Sequence, residues 1–156
     1  MMHYAYYPFA LGFFQIGYEN EVLLSLKKVE KSAEQNETCC FTDTIYHQLE
    51  AYLRGERKCF DLSFSLKGTA FQKKVWHALC QIPYGETRSY QEIAIAIHNP
   101  KACRAVGNAN NKNPIALIVP CHRVIGANGN LVGYAGGLEM KKYLLTIEKT
   151  AREKKE

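Results

Sequence analysis

One cysteine stands in a setting that suits nucleophilic chemistry. Cys121 follows the apolar run 115–119 and Pro120, and it precedes His122 and Arg123. The thiolate is the reactive form of cysteine, so its pKa must be lowered toward neutrality by a neighbouring base or cation. Side chains of adjacent residues in a strand point to opposite faces, so His122 can act on Cys121 only if the backbone turns, which Pro120 favours, or through a bridging water. The segment therefore predicts a reactive thiol at Cys121.

The other cysteines predict no further chemistry. The chain has six cysteines, with no C-x-x-C pair and no paired Cys/His spacing, which argues against a zinc ribbon and a thioredoxin-type dithiol. We therefore expect no metal and no cofactor. Most intracellular cysteines are inert small hydrophobes. We interpret five of them in this way: Cys39, Cys40, Cys59, Cys80 and Cys103.

Composition limits the class of protein. A chain of 156 residues corresponds to one domain or two small ones, and 47% hydrophobic and 22% charged residues exclude a wholly disordered chain. The net charge of +5 suits an anionic partner such as nucleic acid, although this charge alone is weak evidence. No apolar run approaches the ~18 residues of a membrane span, and the N-terminus makes a poor signal peptide. We therefore expect a soluble intracellular protein with reduced thiols.

The elements before the reactive segment form two parts. Residues 1–66 predict a small α/β domain with a helix at about Thr44–Arg54 and a further strand at Phe60–Leu66. Three short strands come first: Tyr4–Tyr7, Gly12–Ile16 and Val22–Lys27. The likeliest junction is Lys67-Gly68, so the second domain is predicted to span 67–156.

The second part is predicted to be mainly helical. Thr69-x-x-Gln72 and Ser89-x-x-Glu92 have the form of capping boxes, and each opens an apolar-periodic run. A short helix at about Lys101–Asn110 follows the second run closely, so the pair predicts a helix-turn-helix. A strand is predicted at Ile115–Val119. A last helix at about Leu138–Lys149 places four residues on one face: Met140, Tyr143, Leu144 and Ile147.

These segments resemble a known family. Pro120-Cys121-His122-Arg123-Val124 is similar to the active-site motif of the O6-alkylguanine-DNA alkyltransferases, also called methylated-DNA–protein-cysteine methyltransferases. Matching stretches cover about residues 60–148 in the family's order. They are Gly68-Thr69-x-Phe71-Gln72, Ile82-Pro83-Tyr84-Gly85-Glu86, Arg104-Ala105-Val106-Gly107, Asn113-Pro114, Tyr134-x-Gly136-Gly137 and Leu144-Leu145-x-x-Glu148. The first 60 residues match more loosely, as the small ribonuclease-H-like α/β domain that the family carries there.

The resemblance implies a reaction and roles for its residues. Family members extrude an O6-alkylated guanine from duplex DNA and transfer the alkyl group irreversibly to the cysteine, here Cys121, once per molecule. Glu148 would orient His122, which would polarise Cys121 through a water. Tyr90 would hydrogen-bond the flipped guanine and supply a proton to it. The other base- or DNA-contacting residues implied are Arg104 as the finger that fills the vacated stack, Asn113 as the hinge asparagine, and Val124, Tyr134 and Ala135 around the base.

This sequence departs from the family pattern near the pocket. Ala135 stands where many relatives have serine, so a side-chain hydroxyl near O6 is lost, although a backbone N–H could still donate. Ala116 and Val132 replace proline and glycine of some relatives, and the bulk of Val132 is expected to narrow the pocket. The Cys/His set of some relatives' N-terminal zinc site has no counterpart here. We therefore expect no metal site in the first domain.

Three other functions remain open at this stage. A DNA-binding regulator would use only the helix-turn-helix and would need no reactive thiol. A non-transferring alkyltransferase-like protein would lack the acceptor cysteine, which is present here. A thiol hydrolase would need a Cys–His dyad, and adjacent residues make an unlikely one. The favoured interpretation is a monomer acting on double-stranded DNA that contains O6-alkylguanine, without a membrane partner, in the cytoplasm or in the nucleus of a eukaryote.

Overall fold

Three antiparallel strands open the chain in the computed structural model, which describes residues 1–131, 134 and 136–153. They are β1 (His3–Phe9), β2 (Gly12–Glu19) and β3 (Val22–Val29), paired in the order β1-β2-β3. The turn between β2 and β3 holds Asn20 and Glu21 at φ angles of 51° and 57°, the left-handed geometry of a tight hairpin. The three predicted strands are confirmed, and each reaches the predicted range or beyond it.

One helix packs on this sheet. Helix α1 (Cys40–Leu53) buries Ile45, Leu49 and Tyr52, which recur at helical spacing and join the same core as the sheet's apolar residues. The helix begins before the predicted Thr44 because the Thr42 hydroxyl accepts a hydrogen bond from the Cys39 N–H at 2.9 Å. Cysteine is not among the preferred N-cap residues, so the sequence carried no recognisable start signal there.

The rest of the chain is mainly helical, so the fold is mixed α/β with a small N-terminal sheet and a helical C-terminal part. The helices are α2 (Ala70–Cys80), α3 (Tyr90–Ala96), α4 (Cys103–Asn111) and α5 (Leu138–Glu153). Both predicted capping boxes are present, at Thr69 and Ser89. The predicted helix pair joined by a turn is also present, as α3 and α4. The Trp76 indole donates to the Ala109 carbonyl at 2.8 Å and so ties α2 to α4.

Two segments that were predicted as strands make only isolated bridges to β3. Leu23 bridges to Phe64, and Leu26 bridges to Ile115. The predictions of strands at Phe60–Leu66 and Ile115–Val119 are therefore wrong. In the second segment the chain turns directly after its bridge, with Leu117 at a φ of 68°, so its apolar side chains are buried in a turn. The apolar run correctly indicated that this segment is buried, but a buried segment can be a turn as well as a strand.

The bridge at Leu26 connects the two parts of the chain close to Cys121. The Leu26 N–H donates to the Pro114 carbonyl at 2.9 Å, and the Ala116 N–H donates to the Leu26 carbonyl at 3.0 Å. The edge of the N-terminal sheet thus holds the segment that leads to the reactive cysteine. Within the described ranges, no helix has the length and apolar character needed to cross a membrane.

Candidate active site

Cys121 opens a short 3-10 helix, Cys121–Arg123, which follows Pro120 and leads into the two-residue strand β5 (Val124–Ile125). Strand β5 pairs in parallel with β4 (Arg88–Ser89), directly before α3. The backbone therefore turns at Cys121, as Pro120 favours. The turn buries all three residues of the 3-10 helix, and Cys121 is 5% exposed.

Glu148 of α5 is the centre of a buried hydrogen-bond network. Its Oε2 lies 2.6 Å from His122 Nε2 and accepts from the Tyr52 hydroxyl at 2.5 Å. Arg123 binds both carboxylate oxygens, with Nε 2.8 Å from Oε1 and Nη2 3.0 Å from Oε2. The Gly85 N–H completes the set at 3.1 Å from Oε1. Charge-assisted bonds of this kind are among the strongest in proteins, so the network fixes the His122 ring.

The network also sets protonation states. Burial alone would raise the pKa of Glu148, but the hydrogen bonds and charges of His122 and Arg123 bring it to about 2. The carboxylate is therefore ionised at neutral pH. Burial lowers the pKa of His122, which outweighs the opposite effect of Glu148, so the imidazole is neutral. An ionised Glu148 requires the hydrogen on Nε2, which leaves Nδ1 as a proton acceptor; Nδ1 is buried and has no partner among the described residues.

The Cys121 thiol has a mixed environment. Burial raises its pKa, while a hydrogen bond from Asn113, the charge of Lys141 and the Tyr134 hydroxyl act in the opposite direction. The net direction is upward, so the expectation of a lowered pKa is wrong for the free protein. The sequence could not show how deeply the thiol itself is buried, because its 5% exposure results from the packing of distant segments. The thiol is protonated at rest, and its reaction needs a base to take the proton.

Cys121 opens on a cavity of about 450 Å³ between the two parts of the chain. Tyr134, Gly136, Ala116 and Met140 line it from the C-terminal part, and β3 contributes lysines from the N-terminal sheet. A cavity of this size is within the range of small-molecule pockets. It has room for a nucleobase and a small alkyl group beside the sulfur.

Tyr90 and Arg104 lie on the two packed helices α3 and α4. Tyr90 is the first residue of α3, and its ring passes close to Gly107, where an added Cβ would lie 3.8 Å from it. Burial, together with the charge that Cys121 carries when ionised, raises the pKa of Tyr90. The Tyr90 hydroxyl therefore keeps its proton at neutral pH. Arg104 is the second residue of α4, and its side chain is exposed.

Asn113 and Val124 both take part in hydrogen bonds with backbone groups near Cys121. The Asn113 amide donates to the Val119 carbonyl at 2.7 Å, and its oxygen accepts from the Ile115 N–H at 3.0 Å, which closes the turn before Cys121. Val124 has a fully buried side chain, and its carbonyl accepts from the Lys141 ammonium at 2.5 Å. Ala135 and Val132 lie outside the described residues.

Two residues of the site had no signal in the sequence reasoning. Tyr52 lies within the predicted helix Thr44–Arg54 and was given no role, yet its hydroxyl reaches Glu148. Lys141 is fully buried, and burial lowers its pKa to about 8. A lysine three residues after Leu138 is typical of an exposed helix position, so only its packing beside Cys121 identifies it. Among the described residues, no group of three or more His, Cys, Asp or Glu side chains could hold a metal ion.

Comparisons with known proteins cover nearly the whole chain. Residues 70–150 match the family "6-O-methylguanine DNA methyltransferase, DNA binding domain", and residues 2–66 match its "ribonuclease-like domain". A methylated-DNA–protein-cysteine methyltransferase of Methanosarcina mazei is 54% identical over 145 residues, which are 91% of this chain and 90% of that protein. One from Mycobacterium tuberculosis is 48% identical over 155 residues, 96% of this chain and 94% of that one.

Solved structures agree with these matches. The crystal structure of Mycobacterium tuberculosis OGT in complex with DNA has a TM-score of 0.89 and 47% identity, and it covers 96% of this chain and 94% of its own. The M. tuberculosis O6-methylguanine methyltransferase structure also has a TM-score of 0.89, with 46% identity and coverage of 97% and 94%. On this evidence, the chain belongs to the 6-O-methylguanine DNA methyltransferase family.

Proposed function

We propose that this protein repairs DNA directly, by transferring the alkyl group of O6-alkylguanine to Cys121 irreversibly. The observation that carries the proposal is the buried Cys121 at the floor of a cavity, next to an imidazole that Glu148 holds with Nδ1 unpartnered. The M. tuberculosis relative has been crystallised in complex with DNA, which supports duplex DNA as the partner. The thiol is too deeply buried to meet a base that remains stacked, so the modified nucleotide must leave the duplex.

The bond changes follow from the groups around the sulfur. His122 Nδ1 takes the thiol proton, through a water if the two do not meet directly. The sulfur then forms a bond to the alkyl carbon as the bond from that carbon to guanine O6 breaks. The electron pair passes to the guanine ring, to which the Tyr90 hydroxyl donates a hydrogen bond, and the proton that His122 took from the thiol is released to balance the proton that guanine gains in place of the alkyl group. The product is a thioether, which thiols do not exchange as they do disulfides, so each molecule acts once.

The exposed side of α4 provides the surface for DNA. Arg104 is followed on that side by Ala105, Asn108 and Asn111, all of them exposed. Small and amide side chains permit close approach to a groove, and the planar guanidinium of Arg104 can fill the gap that an extruded base leaves. Ala109, on the same helix, is buried and its carbonyl accepts from the Trp76 indole, so it does not belong to this surface.

The test is single-turnover reaction with duplex that contains O6-methylguanine, followed by intact-mass and peptide analysis. We expect one methyl group per protein, on the peptide that contains Cys121, and restored guanine in the DNA. Cys121→Ser should abolish transfer, while Cys80→Ser, which removes an exposed thiol, should leave it unchanged. A folded protein that binds the duplex but leaves Cys121 unmodified would instead act as a DNA-binding regulator.

A further inference from the structure

Tyr52 lies outside the alkyl-acceptor part of the chain but reaches into its proton relay. It is on the last turn of α1, fully buried, within the region that matches the ribonuclease-like domain. Its hydroxyl donates to Glu148 Oε2 at 2.5 Å and lies 3.3 Å from His122 Nε2. The same oxygen, Oε2, is the one that holds the His122 ring. One carboxylate oxygen is therefore shared between the two parts of the molecule.

The direction of these hydrogen bonds follows from protonation. Glu148 is ionised, because its pKa is about 2, so it can only accept. Burial and the charge of Glu148 raise the pKa of Tyr52 far above the neutral range, so its hydroxyl keeps its proton and donates. The Nε2 hydrogen of His122 also points to Oε2. Every donor on Oε2 withdraws charge from it and weakens its pull on the imidazole.

We propose that Tyr52 is a positioning residue for alkyl transfer, which binds the Glu148 oxygen that holds His122 and thereby limits how strongly His122 retains a second proton. The inference rests on the proposed function, since it concerns the base for Cys121. A weaker pull from Glu148 keeps the imidazole neutral at physiological pH, with Nδ1 free to receive the thiol proton. The N-terminal part thus contributes to the chemistry as well as to the core.

The other groups around His122 do not replace this contact. Glu148 and Lys141 face it from α5, and Arg123 adjoins it on the 3-10 helix. The positive charges of Arg123 and Lys141 lower the pKa of His122, and Arg123 also donates to Oε2 at 3.0 Å, so the Tyr52 hydroxyl is one of two further donors on that oxygen. Tyr84 packs edge-on against Tyr52 with ring centroids 6.1 Å apart, but its hydroxyl has no hydrogen-bond partner among the described residues.

Tyr52→Phe tests the proposal, since it keeps the buried ring and removes only the hydroxyl. The rate constant of methyl transfer would be measured against pH in single-turnover reactions with O6-methylguanine duplex. We expect the rising limb of the profile to move to higher pH by about one unit, because Oε2, which then keeps only His122 and Arg123 as donors, stabilises the imidazolium more strongly. At pH values below the midpoint, the rate constant should fall roughly tenfold.

Tyr46→Phe is the matched control. Tyr46 lies on the same helix, and its hydroxyl binds the Pro8 carbonyl at 2.5 Å, away from Glu148. We expect its pH profile to coincide with that of the wild type. The reaction endpoint counts the folded molecules in each sample, so partial unfolding of a variant lowers the amplitude and leaves the rate constant's pH midpoint in place.

The outcomes separate the two claims. If the wild type transfers the methyl group and Tyr52→Phe shows an unshifted midpoint, the inference about Tyr52 is wrong and the proposed function stands. A lowered amplitude with the wild-type midpoint also overturns it, because Tyr52 then acts only in packing. If the wild type itself leaves Cys121 unmethylated, the proposed function and the inference fail together.

Discussion

The reactivity of Cys121 depends on the burial of its thiol and on the charged groups around it. Burial keeps the thiol protonated, whereas the charge of Lys141, a buried lysine whose own pKa is lowered to about 8, favours the thiolate. In the proposed reaction His122 takes this proton on Nδ1, while Glu148 holds its other nitrogen. The resting protein thus carries a protected thiol, which suits a residue that can be used once.

Lys141→Met should make the thiol harder to ionise. Methionine has a similar volume but carries no charge, so the pKa of Cys121 should rise by about one unit or more. The pH dependence of Cys121 alkylation by a small thiol reagent measures this shift. Lys142→Met, which removes the neighbouring exposed lysine, is the control and should leave the profile in place. An equal shift in both variants would show that net charge, rather than the contact of Lys141, is responsible.

Arg104→Ala should impair repair of duplex DNA far more than reaction with free O6-alkylguanine base, because only the duplex requires nucleotide flipping. Unstacking costs a few kcal/mol, so a loss of roughly a hundredfold in duplex is expected. Rates of Cys121 alkylation with the two substrates give the comparison. Arg54→Ala removes an exposed arginine that pairs with Glu56 on the N-terminal part, and it should affect neither substrate. Equal losses on both substrates for Arg104→Ala would contradict the finger role.

At the scale of elements, helix ends and buried faces position the site. Residue Ser89 caps α3 and so orients Tyr90, the helix's first residue, through bonds with Glu92. Helix α5 buries Met140, Lys141, Leu144, Glu148 and Ala151, rather than the predicted Tyr143 and Ile147, which are half-buried. Charged residues on the buried face of a helix are uncommon unless they are paired. Here they are Lys141 and Glu148, which both belong to the candidate site.

Ser89→Ala and Thr69→Ala form a matched pair of cap variants. Each removes a side chain that accepts from the N3 backbone N–H, so each should lower the free energy of unfolding by about 1 kcal/mol. Only Ser89 adjoins Tyr90, so only Ser89→Ala should also slow transfer. Urea denaturation and single-turnover rates provide the two measurements. A similar slowing in both variants would mean that the caps act through global stability alone.

In the molecule as a whole, the two parts meet at the reactive segment. Leu26 of β3 binds the chain before Cys121 on one side, and Tyr52 of α1 binds Glu148 on the other. Glu148 thereby connects α1, α5 and the 3-10 helix through one carboxylate. Breaking a buried ion pair leaves its partner uncompensated, so this residue should matter for stability as well as for chemistry.

Glu148→Gln should lower the free energy of unfolding at neutral pH by about 3 kcal/mol. The pKa of Glu148 in the folded protein, about 2, lies below its unfolded value near 4.5. Its stabilising contribution is therefore complete above about pH 4.5 and is lost as pH falls toward 2. Urea denaturation across this range should show the gap between wild type and variant narrowing with acid. Glu56→Gln, at an exposed pair, should show almost no gap, and a pH-independent gap for Glu148→Gln would refute the account.

The fold was predictable where local signals are strong. The three strands, the two capping boxes and the last helix follow from alternation, cap residues and apolar periodicity, which act over a few residues. The sequence did not predict that two segments make isolated bridges instead of strands, namely Phe60–Leu66 and Ile115–Val119. An apolar run indicates burial but does not distinguish a strand from a turn. The start of α1 was missed because its cap is a cysteine.

The sequence itself identified Cys121 as the candidate reactive cysteine, together with its neighbours His122 and Arg123, since the three residues are adjacent in one motif. Only the tertiary structure decided that the thiol is buried with a raised pKa, that the charge of a buried Lys141 opposes this shift and that Tyr52 binds Glu148. Those facts depend on contacts between residues as far apart as Tyr52 and Glu148. A short stretch of sequence does not show which distant residues it will contact, because burial and charge at a site are properties of the packed chain.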